Sequence, residues 1–169
     1  MHFEFVHDFD IARDAVELAV LSPRLIEKIA PKLKHVEKVE QREHTLESGV
    51  LRRVWWYQAN IKIPDFARAY VTKEMCAWEE RNHYHLDAHS SEWTIVPNIK
   101  PEWQKLVHAS GVYRLEPRER GKCRRTVSGE LRLDVPKLFA RVAERLIVAE
   151  ARKIFEIEAL VLEELATLS

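Results

Sequence analysis

The stretch Pro136–Leu168, PKLFARVAERLIVAEARKIFEIEALVLEELATL, decides the fold. Leu138, Val142, Leu146, Ala149, Lys153, Ile157, Val161 and Leu165 recur at steps of three or four, and only Lys153 interrupts their apolar character. Phe139, Ala143, Ile147, Ala151, Ile154 and Leu162 widen the stripe into the face of one long helix. At 1.5 Å per residue this helix is about 50 Å long, more than one small domain needs, so it must lie along a broad apolar surface. A curved sheet supplies such a surface. The stripe predicts Ile147 buried against it and Glu150 at the polar edge.

Upstream of the helix the period changes from 3.6 to 2. Gly111, Tyr113 and Leu115 alternate toward Pro117, the run RERGK turns the chain, and Cys123, Arg125, Val127, Gly129, Leu131, Leu133 and Val135 alternate back. These odd positions share the face that meets the helix. Val36 to Leu46 reads as a polar edge strand, and Glu47-Ser48-Gly49 turns it into a strand from Val50 to Ile63, which Pro64-Asp65 breaks. Phe66 to Val71 reads as a short helical or irregular connector, followed by strands near Lys73 to Arg81 and His83 to Ile95. Pro97 and Pro101 mark a loop or short helix with Trp103 and Leu106. At the start of the chain, Phe3, Phe5, His7 and Phe9 alternate with His2, Glu4, Val6 and Asp8 as a half-buried strand. Asp10 is placed to cap a helix with Ile11, Ala15, Leu18 and Ala19 on one face. A second short helix runs from Pro23 to about Leu33, with Pro31 in its last turn.

With 169 residues, 46% of them hydrophobic, the chain supports one well-buried core and is too short for two ordinary domains, so residues 1–169 are expected to form a single α+β domain. Formal net charge is zero, which leaves no whole-molecule field to attract nucleic acid or an anionic membrane. The opening MHFEFVHDFD lacks the apolar core of a signal peptide, and no run approaches the length of a membrane span, so a cytoplasmic protein is expected. Cys76 and Cys123 are isolated and fit two reduced thiols better than a disulfide or a zinc site.

The order strand, two helices, about six strands, long helix resembles the START-like superfamily, also called SRPBCC or helix-grip. The resemblance is carried by FEFVHDFD with IARDAVELAVLS, by RRVWWYQANIKIPDF, by TVSGELRLDVP and by the terminal helix. It is closest to an uncharacterised bacterial branch, and the element order is similar to that of PRELI-like lipid-transfer domains. It implies a curved antiparallel sheet of six to seven strands wrapped around the C-terminal helix, with a cavity between them. Its members include lipid carriers, hormone receptors, polyketide cyclases and protein-binding cochaperones, so it implies a fold more than a function. No catalytic set of theirs matches this sequence.

Within that frame the expected function is non-catalytic binding or transport of an apolar or amphipathic small molecule, with a lipid as one candidate and no cofactor. The expected ligand-binding residues are Arg53, Trp55, Tyr57, Trp78, Tyr113, Arg125, Val127 and Leu131 from the sheet and Phe139, Val142 and Leu146 from the helix. Both faces of RRVWWYQANI carry aromatic rings, so either can line a cavity, with Arg53 or Arg125 placed to meet an acidic headgroup. The competing reading is a strand simply packed on the helix. His83, His85, Asp87 and His89 are spaced by two, so one continuous strand would point all four the same way. Residues two apart lie nearly 7 Å apart along a strand, too far to converge readily on one ion, and no metal site is expected.

Three further expectations concern partners and chemistry. The basic tip EPRERGKCRR is a place for transient membrane contact, while the absence of any stacking motif argues against nucleic acid. The sequence leaves monomer and homodimer equally open. An enzyme would have to draw on Glu74, Glu79 and Glu80 with His83 or His85 as acid and base, since no nucleophile elbow, P-loop or zinc-helix motif is present. An interaction module would use Trp56 and the histidine row as its surface.

Overall fold

The computed structural model describes residues 1–63, 65, 68, 69 and 71–168. The strands are β1 (His2–Phe9), β2 (Val36–Glu47), β3 (Val50–Ala59), β4 (Ala77–His85), β5 (Ser90–Pro97), β6 (Val107–Arg118) and β7 (Lys122–Leu133). The helices are α1 (Arg13–Leu21), α2 (Leu25–Ile29), α3 (Pro101–Gln104) and α4 (Lys137–Thr167). All neighbouring strands are antiparallel, in the order β1-β7-β6-β5-β4-β3-β2. The sheet curves around α4 in a helix-grip fold.

Tight turns set the register. Ser48 and Gly49 both take positive φ between β2 and β3, the backbone twist that a two-residue hairpin favours. Arg120 and Gly121 do the same in the turn between β6 and β7. Pairing of Gln41 with Trp55 and of His44 with Arg53 brackets a bulge in β2 that bends this edge strand. Along β1, Phe5 and Phe9 are buried while Glu4, Val6 and Asp8 are exposed, the alternation that period two demands.

The packed core fills one end of the concave face. The C-terminal half of α4 presents Ala159, Val161, Leu162 and Ala166 to α1 and α2, whose Val16, Val20, Leu25 and Ile29 close over Leu51, Tyr84, Leu115 and Cys123 of the sheet. Leu162 and Val161 are wholly buried, each worth roughly 1.5–3 kcal/mol of transfer free energy. Ion pairs from Glu164 to Lys28 and Lys32 and a contact between Glu163 and the His7 ring at 3.2 Å frame this end.

Several local expectations need correction. Asp10 caps no helix: α1 begins at Arg13 behind Ala12 without a side-chain cap, and Asp10 instead meets Lys122 at 2.7 Å. The Val50 strand ends at Ala59 rather than Ile63, and Lys73–Cys76 form a 3-10 turn, so the next strand starts at Ala77. The connector expected at Phe66 to Val71 lies partly outside the described residues, as do Pro64 and Ser169. The strand expected from His83 to Ile95 is broken by a turn at residues 86–89. His89 there takes φ +48°, and the histidine row is therefore not a row. His83 and His85 remain on the convex face of β4, whereas His89 turns back to Glu17 of α1 at 2.8 Å.

Candidate functional site

Strand register assembles the site. Arg53, Trp55 and Tyr57 of β3 lie opposite Asn82, Glu80 and Trp78 of β4, and these oppose Trp93, Ile95 and Pro97 of β5. Trp93 in turn opposes Gly111 of β6, which opposes Gly129 of β7, which opposes Phe3 of β1. The indole of Trp93 lies across both glycines, because a Cβ at Gly111 or Gly129 would come within 2.5 or 2.4 Å of its Cζ2 atom. Phe3 packs at the end of that row with ring centroids 5.9 Å apart. Glycine inside a strand weakens it unless something approaches closely, and here an aromatic floor does.

At the border between this floor and the packed core, buried ionisable groups meet. Arg125 is 2% exposed and ion-pairs with Glu158 of α4; it also donates to the Phe155 carbonyl at 3.4 Å and lies over the Tyr113 and Phe155 rings. Burial alone would lower its pKa, but Glu158, Tyr113 and Glu80 outweigh that and hold the guanidinium charged. Arg53 stacks over Trp55 at 3.8 Å and donates to the Val20 carbonyl. Glu80, half-buried, turns its carboxyl among Arg53, Arg125, Glu158 and Tyr57; burial pushes its pKa up, Glu158 adds to this, and the two arginines and Tyr57 oppose it. Tyr57 is driven well above its ordinary value by burial and then by Glu80 and Glu158, and its ring stacks on Trp78 at 5.2 Å. Burial likewise raises Tyr113. Its hydroxyl stands beside Arg125 without the alignment of a hydrogen bond. Among the described residues five side-chain atoms are buried without partners: His44 Nδ1 on β2, and Tyr113 Oη, Arg125 Nε, Trp93 Nε1 and Ser91 Oγ together on the concave side of β5, β6 and β7. Such atoms cost free energy until something bonds to them.

Beyond the cluster the concave face opens. Trp78, Trp93 and Ile95 are only half-buried. The first half of α4 touches the sheet at the rim formed by β1 and β7: Glu144 accepts from the Leu133 amide at 3.1 Å and faces the amino terminus, Arg152 lies over Phe5, and Phe155 packs on Phe5. The expected helix lining is therefore wrong in detail. Phe139, Val142 and Leu146 are 70%, 56% and 64% exposed rather than set against the sheet, and Ile147 is 47% exposed. Of the expected sheet residues, Arg53, Trp55, Tyr57, Tyr113, Arg125 and Leu131 are buried and Trp78 and Val127 half-buried; by register all eight belong to the concave face. The expectation left out Trp93, Ser91 and Glu158. In-register Gly111 and Gly129 were a readable sign that something large crosses that hairpin.

Other candidates do not assemble. Among the described residues no group of three or more His, Cys, Asp or Glu side chains is arranged to hold a metal ion. Cys76 and Cys123 are both free thiols, and burial pushes Cys123 up to about 11. Glu79 is bound by Arg81 and Arg42 on the convex face, away from Glu80, so the two are not a catalytic pair. Two depressions lie elsewhere on the sheet, one of about 530 Å³ beside His2, Glu4, Val112 and Ser128, which reaches Phe3, Gly111 and Gly129 of the floor, and one of about 580 Å³ on the convex face between Glu43, Glu47, Arg52, His83, His85 and Glu92. Neither includes a residue of the buried cluster. At the hairpin tip, Lys122 and Arg124 are paired with Asp10 and Asp8. No described helix is long and apolar enough to cross a membrane.

A seven-stranded antiparallel sheet gripping one long terminal helix defines a helix-grip protein, and solved structures share it. An aromatase/cyclase, Zhui, from Streptomyces sp. R1128 superposes with a TM-score of 0.65 at 13% identity, covering 99% of this chain and 93% of that one. TTHA0849 from Thermus thermophilus gives 0.63 at 16% identity over 99% and 98%. Norcoclaurine synthase from Thalictrum flavum gives 0.61 at 17% identity over 96% and 87%, and has also been solved in complex with dopamine and hydroxybenzaldehyde. No curated protein sequence matches the chain. Residues 4–165 match the family described as Protein of unknown function (DUF2505), and the chain belongs to that family.

Proposed function

We propose that the chain binds an apolar or amphipathic small molecule on the open half of its concave face, without a cofactor and without chemistry on the ligand. One observation carries this reading: a floor of half-buried Trp78, Trp93 and Ile95 ends at buried polar atoms of Tyr113, Trp93 and Arg125 that lack partners. An apolar body on the rings with an oxygen or nitrogen at the inner end would satisfy both. The fold is in keeping with this, since norcoclaurine synthase holds two small aromatic compounds on the same architecture. Lipids are the first class to test, as a PRELI-like carrier of the cytoplasm would require. Native mass spectrometry of gently desalted protein is expected to show a retained small molecule. A lipophilic fluorescent probe should then bind saturably to stripped protein and be displaced by the extract. Neither a retained mass nor saturable binding would leave the proposal without support and overturn it.

Glu80 favours a second reading, in which the same groove hosts a cofactor-free cyclase- or hydrolase-like reaction. A buried carboxyl with a raised pKa beside Tyr57 is suited to proton transfer. The two readings part at Glu80→Gln. A binder retains probe affinity and leaves the extracted compound unchanged with or without the substitution, whereas an enzyme converts it and loses conversion in the variant.

A further inference from the structure

The first turns of α4 carry a second face that the fold does not use. Leu138, Val142 and Leu146 stand four residues apart on one line of the helix, and Lys137, Arg141 and Arg145 form the adjacent line. Leu138 is 74% exposed, Val142 and Leu146 are exposed as given above, and all three cations are exposed. Among the described residues none of the three cations has an ion-pair partner, and the one acid between them, Glu144, is turned inward to the Leu133 amide and the amino terminus. The surface continues beyond the helix. The Asp134 amide bonds to the Leu106 carbonyl, so exposed Val135 lies next to exposed Leu106, and Trp103 stands nearby in α3 with Lys100 over its ring.

A chain of zero net charge thus gathers unpaired cations and exposed apolar side chains, including Trp103 and Phe139, at one end. Cations beside Leu, Val, Phe and Trp match the lipid headgroup boundary, where apolar side chains enter the acyl region and cations meet phosphates. A second copy of this chain, with its zero net charge, supplies no comparable excess of negative charge. We infer that this end, formed by the start of α4 with the α3–β6 corner, docks on an anionic phospholipid surface. The docking end is opposite the basic hairpin tip, because β6 and β7 pair Val107 with Leu133 at one end and Arg118 with Lys122 at the other. It does not depend on any ligand held in the groove.

Co-sedimentation with vesicles tests this, using phosphatidylcholine alone and phosphatidylcholine mixed with phosphatidylserine. The protein should sediment with the mixed vesicles only, and less so at high salt. Combined Lys137→Glu, Arg141→Glu and Arg145→Glu should weaken partitioning by at least about 100-fold, since each basic residue lost near the surface removes about fivefold and each glutamate gained adds repulsion. Leu138→Ser with Val142→Ser should weaken it at unchanged charge. Arg118→Glu with Arg120→Glu, at the far tip, should leave it unchanged. Failure to sediment with anionic vesicles would overturn the inference, as would equal sensitivity to the tip substitutions. A dimer in sedimentation velocity that Leu138→Ser with Val142→Ser dissolves would assign the face to a second copy instead and overturn it too.

Discussion

Removing Glu158 exposes what the buried charge cluster costs the fold. Arg125 keeps 2% of its surface, and among the described residues Glu158→Ala leaves its guanidinium a direct hydrogen bond to the Phe155 carbonyl alone. Breaking a buried ion pair from one side costs about 3–5 kcal/mol. Glu80 moderates this, because Glu158 now raises its pKa; with that repulsion gone, Glu80 ionises more readily and offsets part of the stranded charge. The expected cost is therefore near the lower end, about 3 kcal/mol. That is a large share of a total near 5–15 kcal/mol, and for a domain of this size it lowers Tm by about 6–12 °C. Urea unfolding followed by tryptophan fluorescence reads the free energy, and calorimetry reads Tm. The informative companion is Arg125→Met with Glu158→Leu, which removes both charges at similar volume. Replacing a buried pair by apolar groups is usually neutral or stabilising by about 1–4 kcal/mol, so this variant should melt at or above the wild type while losing probe binding in the groove. A double variant as unstable as Glu158→Ala would refute the argument that the pair is held for the site rather than for stability.

The cluster also imposes a pH dependence. Burial holds the folded pKa of Glu80 above the ordinary glutamate value of 4.5, so the native state binds this proton more tightly than the unfolded chain does. Its contribution is fully present below that value and is lost as pH rises through the folded pKa; Glu80→Gln, which mimics the neutral acid, should match the wild type at low pH and exceed it in urea-unfolding free energy at neutral pH. A wild type that gains on the variant as pH rises contradicts this sign. On α4, Ile147→Asp should leave Tm close to wild type because the side chain is 47% exposed, whereas Leu162→Asp, at a site with no exposure, should cost several kcal/mol and prevent a cooperative melt. Equal melts for the two would mean that the buried arc of the helix has been misplaced.

The long helix and a curved sheet of six to seven strands were legible because each rests on many residues of one period, whereas the order in which the strands pair comes from the structure. From Ala151 to Ala166 a single apolar arc agrees with a single buried face. From Lys137 to Val148, apolar residues occur on nearly every side of the helix, so periodicity cannot tell the face that meets the sheet from the one that does not. That is why Phe139, Val142, Leu146 and Ile147 were misassigned. The line Lys137, Arg141 and Arg145 was the available clue, since three cations cannot share a buried face. The β4–β5 turn escaped for a different reason: Leu86-Asp87-Ala88-His89 contains neither Gly nor Pro, and His89 itself adopts the left-handed backbone.

The candidate site was half legible, and the missing half bears on function. Alternation places Glu80 with Trp78 and Tyr84 on the inward set of β4, but period two does not say whether an inward carboxyl is satisfied, exposed or stranded. The structure adds that Arg53, Glu80, Arg125 and Glu158 meet where the packed half of the concave face gives way to the open half. A core serving only stability has little reason to hold four ionisable groups, because desolvating each costs several kcal/mol that apolar packing would save. Their position at the boundary reconciles burial with use: α4 and α1 hold the charges in place from one side, through Glu158 and the Val20 carbonyl, while the unpaired Tyr113 hydroxyl and Arg125 Nε keep bonding capacity in hand. A site organised in this way favours a ligand whose polar end reaches the cluster and whose body lies over Trp93 and Trp78, and disfavours a wholly apolar one, which would leave those atoms as unsatisfied as before.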